Sequence, residues 1–150
     1  MRKLACFILL MSFFIACKKD HPASSMPDNG LQGKWTFVSV TTVFRDSVGN
    51  VLSSGMVYPN PPDAYYQFNR DGSWVSKFIS DGMDDINNQG LYKSVTDTSF
   101  VIYNTGQNAY NEDCKIYSLT SSQFIFSHKR NTKFNGVTPG SEEYIFKLTR

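Results

Sequence analysis

Cys17 is the side chain whose setting most clearly spells out a reaction. It ends the run Phe14-Ile15-Ala16-Cys17, behind a positive start at Met1-Arg2-Lys3 and an apolar stretch over 4–16 broken only by Ser12. A signal peptidase needs a small residue just before the cut, and Ala16 supplies it; the thiol that follows is the group to be acylated. Residues 1–16 are therefore expected as a lipoprotein signal peptide, with Cys17 the lipidated first residue of the mature chain. A spanning helix needs about 20 apolar residues, and Lys18-Lys19-Asp20 stops this run short of that. Plain secretory cleavage wants a small residue where the large Phe14 stands. Phe14 also departs from the Leu more usual in a lipoprotein box, so simple secretion and an uncleaved anchor stay open as alternatives.

Other reactive side chains are sparse. Cys6 leaves with the signal and Cys17 takes the lipid, so Cys114 has no partner for a disulfide. Its acidic neighbours Glu112 and Asp113 raise a thiol pKa rather than activate it, which marks a bland buried cysteine. His21 lies in a Pro- and Ser-rich stretch and His128 stands alone, so no spacing suggests zinc. Asp81, Asp84, Asp85, Asn87 and Asn88 are oxygen-rich but lack the alternation and closing Glu of a calcium loop; they read as a solvated loop. Glu142 and Glu143 are adjacent, so on a strand they point to opposite faces and form no acid/base pair. No nucleophile elbow or phosphate-binding Gly loop occurs. The expectation is no enzyme, no metal and no cofactor.

Charge narrows the partners. The full chain carries +2, from 15 basic and 13 acidic residues. Losing Arg2 and Lys3 leaves the mature chain formally neutral. Nucleic acid wants a basic face and is not expected. The expected membrane contact is the bilayer reached through acylated Cys17; a protein partner is not identified. Lys18 after Cys17 fits passage to the outer membrane of a Gram-negative envelope, under the enterobacterial sorting rule.

Residues 17–30 hold the lipidated Cys and a tether with Pro22, Pro27, Ser24 and Ser25. The folded body spans 31–150. It is rich in Phe, Tyr, Val, Ile and Thr, and shows no helical spacing of apolar residues. Strands are predicted over 34–45, 51–58, 64–69, 73–79, 91–95, 99–104, 115–119, 123–130 and 142–149, with 81–90 a polar loop. Arg70-Asp71-Gly72 makes one hairpin turn and Asn135-Gly136 another loop. Consecutive hairpins without long crossovers favour an all-β, antiparallel up-and-down barrel of about eight strands, which also removes sheet edges. A two-layer sandwich is the rival.

The order of short motifs carries a resemblance. Gly33-Lys34-Trp35 opens the first strand as a Gly-x-Trp. Phe68 to Gly72 gives Phe-x-x-Asp-Gly, Gly90-Leu91-Tyr92 gives Gly-x-Tyr, and Ile116 to Thr120 runs into Leu-Thr. Tyr144, Phe146, Leu148 and Arg150 alternate in the last strand. Together these resemble the bacterial lipocalin-like domains of lipoproteins, over 31–150. The resemblance implies a barrel that can hold a small apolar or amphipathic ligand. It also implies that Arg150 covers Trp35 at the closed end, beside Gly33; the alternative is a frayed Arg150 in solvent.

Strand parity proposes an interior. Phe37, Tyr66, Phe68, Trp74, Phe78, Tyr92, Phe126, Tyr144 and Phe146 are the candidate pocket residues, with Phe124 another inward side chain. Small barrels often fill with such side chains. A filled core and a usable pocket both remain open, as do a ligand carrier and a scaffold that presents loops to an envelope partner.

Overall fold

The computed structural model describes residues 30–58, 63–78, 86–105 and 111–150. Residues 1–29, and with them the signal, Cys17 and nearly all of the tether, lie outside the described residues, as do Asp81, Asp84 and Asp85.

Nine strands follow in order: β1 Gly33–Asp46, β2 Val51–Val57, β3 Tyr65–Phe68, β4 Ser73–Phe78, β5 Ile86–Thr96, β6 Ser99–Asn104, β7 Asn111–Leu119, β8 Gln123–Phe134 and β9 Thr138–Thr149. All neighbours are antiparallel, and β1 also pairs with β9. β1 divides one edge between two partners. Gly33 to Thr36 pair with β3, and Val40 to Arg45 pair with β2. β2 and β3 thus lie end to end along β1. Running β1-β3-β4-β5-β6-β7-β8-β9 and back to β1 closes an eight-stranded barrel, with β2 extending the wall at one end. No helix occurs among the described residues.

Four strands, β5, β7, β8 and β9, run further than their composition predicts. Ile86 to Gly90 pair with Phe78 to Trp74, so β5 begins inside the segment expected as a polar loop. Asn111 to Cys114 pair with Tyr103 to Phe100. β8 and β9 pair out to Phe134 and Thr138. Ladder bonds join backbone to backbone, so once a hairpin sets the register, Asn and Gln side chains do not stop it.

The turns sort the two ends of the barrel. The connections 69–72, 97–98 and 120–122 are short and close the end that holds Trp35. At the other end β4 and β6 finish and β5 and β7 begin. The closed half is packed solid. Leu31, Trp35, Phe124, Phe126 and Leu148 are all 0% exposed. Trp35 and Phe124 approach to 5.4 Å between centroids, and Phe124 stacks on Phe126 at 4.8 Å. Aromatic pairs at such spacings contribute about 0.5–1.5 kcal/mol each beyond their buried area.

Candidate functional site: a plugged base and an open cavity

At the closed end, Trp35 donates from Nε1 to the Leu31 carbonyl at 2.8 Å. The Arg150 guanidinium carbon sits 3.9 Å from the indole centroid. Arg150 Nη2 also donates to the Gly30 carbonyl at 3.1 Å and to the Gln32 carbonyl. One arginine thus covers the tryptophan and ties the segment before β1 to the end of β9. Gly33 has φ +118°, and a Cβ there would come within 3.0 Å of Arg150 Nη2. The structure therefore brings Gly33, Trp35 and Arg150 into one contact group.

At the other end the barrel is hollow. A cavity of about 310 Å³ is lined by Phe37, Val40, Thr42, Val57, Tyr66, Trp74, Ser76, Phe78, Asn88, Asn104, Glu112, His128, Arg130, Tyr144 and Phe146. Of the sequence-predicted pocket residues, Phe37, Tyr66, Trp74, Phe78, Tyr144 and Phe146 form its aromatic part. Phe68, Tyr92 and Phe126 do not reach its wall; they belong to the packed half. Phe68 is set edge-on to Tyr92 at 5.1 Å and to Phe100 at 5.8 Å. The Tyr92 hydroxyl donates to the Asn69 carbonyl at 2.9 Å, in the β3–β4 turn at the closed end. Phe126 packs on Phe100 at 5.3 Å and on Phe124. Parity shows which way a side chain points, while its height along the barrel decides whether it meets a neighbour or a void.

The wall built by β7, β8 and β9 is polar. His128 Nδ1 lies 3.4 Å from Glu112 Oε1. The imidazole stacks on Tyr144 at 5.1 Å and 9°, and on Phe146 at 5.4 Å and 13°. Arg130 donates from Nε to Glu142 Oε2 at 2.7 Å and from Nη2 to the Tyr144 hydroxyl at 2.6 Å. Burial pushes the His128 pKa down to about 4; Arg130 pushes the same way and Glu142 opposes. Burial first, then hydrogen bonding with Glu142, raises Tyr144 to about 12. Both are uncharged at neutral pH. The Trp74 Nε1 is a buried donor with no hydrogen-bond partner among the described residues.

Glu142 faces Arg130 inside. Glu143 accepts from Tyr117 Oη and Ser127 Oγ, both at 2.9 Å, on the outer face. The two carboxylates are separated by the sheet. Cys114 is free and buried, its thiol pKa raised by burial and then by Glu112 and Asp113. Among the described residues no group of three or more His, Cys, Asp and Glu is placed to hold a metal ion.

The strand registers also turn Glu112, His128 and Arg130 inward, which the alternation of aromatic residues alone does not pick out. Glu112 shares parity with Cys114 and Ile116, and His128 and Arg130 share it with Phe124 and Phe126. A charged residue on the apolar register of a barrel strand is the signal that finds this wall.

The fold and site define a closed antiparallel eight-stranded barrel, plugged at one end and hollow at the other. No protein-family model matches the chain, and no curated protein does. Among solved structures, a deswapped triple mutant of bovine odorant binding protein is similar, at 16% identity and a TM-score of 0.43, over 81% of this chain and 74% of that one.

Proposed function

We propose that this protein is a binding protein of the bacterial cell envelope, whose barrel takes a small amphipathic molecule into its open end. The observation that carries the reading is the cavity of about 310 Å³, with an aromatic floor and a polar wall along one side. Ligand sites of about 300–1,000 Å³ with a few convergent polar groups are the common pattern. The anchor in this reading is acylated Cys17, supported by the box Phe14-Ile15-Ala16-Cys17, with the tether giving the barrel reach from the membrane.

Native mass spectrometry of the purified protein tests the binding half. The expected result is a co-bound small molecule that Ser76→Phe, which fills the cavity, no longer retains. An empty barrel that also takes up no added amphiphile would overturn it. For the anchor, radiolabelled fatty acid should mark the wild type and not Cys17→Ala; equal labelling refutes lipidation.

A scaffold reading has one observation in its favour. All seven residues of β2 are exposed, and the strand contains no charge and no Pro. Among the described residues it pairs only with β1. Such an edge is a template for a partner strand.

A further inference from the structure

We infer that the molecule held in the cavity is uncharged, with an apolar or aromatic body and an amide-type edge that sets a hydrogen-bond donor beside an acceptor. The inference rests on the binding reading above and names the class of ligand for that site. Ser76, Asn88 and Asn104 line the hollow from β4, β5 and β6, apart from the charged wall of β7, β8 and β9. Ser76 and Asn88 are register partners, and opposite residues on one face stand about 4.5–5.5 Å apart at Cβ. Asn104 pairs with Gly90, two residues on from Asn88, and so lies diagonal to it. Gly90 puts no side chain into the hollow, and a Cβ there would run into the Tyr103 carbonyl oxygen at 1.9 Å. Ser76 is only 5% exposed and Asn104 is half-buried. None of the three side chains has a hydrogen-bond partner among the described residues. Buried polar groups are ordinarily paired, so this row is open to a ligand's polar atoms. A carboxamide offers N–H donors beside a carbonyl acceptor, and a hydroxyl does both. The row therefore matches an amide and gives a full charge no counter-charge.

The charged groups of the cavity are engaged with one another. Arg130 donates to Glu142 Oε2 at 2.7 Å and to the Tyr144 hydroxyl at 2.6 Å. Glu112 is likewise engaged, with Oε1 3.4 Å from His128 Nδ1. An anionic ligand would have to draw Arg130 away from Glu142. A cationic one would have to displace Arg130 from the same carboxylate, which is 6% exposed. Separating a buried ion pair is costly. An uncharged ligand leaves it intact, and the rings of Phe37, Tyr66 and Trp74 supply apolar surface for its body.

The test uses three probes that differ only in the head: 3-phenylpropanamide, 3-phenylpropanoate and 3-phenylpropylammonium, titrated calorimetrically into the full-length protein at neutral pH. The amide should bind about tenfold tighter than either ion. Asn88→Leu and Asn104→Leu keep a side chain of similar size and remove its polar atoms. Each should weaken the amide about three- to tenfold and change the ions little. An ion that binds as tightly as the amide, or an amide indifferent to both substitutions, overturns the inference while the cavity reading stands. Binding of none of the three overturns both. If the variants do not fold, the wild type decides with 4-phenylbutan-2-one, which replaces the amide nitrogen by a methyl group. It should bind about three- to tenfold more weakly than the amide; equal binding overturns the inference.

Discussion

His128 is held in its uncharged form by where it sits. Its ring lies between Tyr144 and Phe146 on one side of the cavity, and Arg130 stands nearby. The Glu142 carboxylate favours the cation, but burial, aided by Arg130, outweighs it, and the pKa falls from 6.5 to about 4. In the unfolded chain the same imidazole takes a proton near its ordinary value. As pH drops through the window from 6.5 to about 4, the unfolded state gains the proton first. The His128 contribution is thus complete above that window and is lost on acidification through it. Urea midpoints measured across this range should fall for the wild type. They should fall less for His128→Phe, which keeps a flat ring against Tyr144 and cannot titrate. Identical pH profiles for the two proteins would contradict this. Residue order puts Arg130 two positions from His128 on β8, but Glu112 and Glu142 reach the imidazole only through the pairing of β7, β8 and β9.

At the level of elements, register decides which residues meet. Composition places β1, β6 and the Arg70-Asp71-Gly72 hairpin well, because β-branched and aromatic residues end there in clear turn residues. It misplaces the start of β5, where the Asn- and Gln-bearing segment 86–90 is carried into the sheet by its pairing with β4. Bulges add a second kind of information. The pairing of β1 with β9 skips a residue between Phe37 and Ser39, and β7 does so between Ile116 and Ser118. Each bulge switches the inward parity, so Val40 and Thr42 join Phe37 on the cavity wall. Close approach is also an element property. At Gly90 a Cβ would lie 1.9 Å from the Tyr103 carbonyl oxygen and 2.9 Å from Trp74 Nε1, whereas at Gly55 it would meet nothing within 4 Å. Gly90→Ala should cost about 3 kcal/mol or more, at the upper end of overpacking. Gly55→Ala should move the thermal midpoint little. Matched melting curves for the two variants check the contrast.

For the whole molecule, closure is the decisive feature. β1 and β9 meet across nearly the full chain, with Thr36 opposite Thr149 and Asp46 opposite Gly140. The last five residues bring Phe146, Leu148 and Arg150 to the core and the plug. A chain ending at Ile145 should lose its cooperative unfolding transition, followed by near-ultraviolet circular dichroism during denaturant titration. A sharp transition with an unchanged midpoint would show that closure is dispensable. The sequence by itself determined the strand-rich class and the inward parity of the aromatic residues, because these follow from local turn chemistry and a two-residue period. Only the tertiary structure decided that the barrel is filled below and hollow above, and that Glu112, His128, Arg130 and Glu142 share one wall. Both depend on height and register among strands far apart in the chain, which the period of a single strand does not contain.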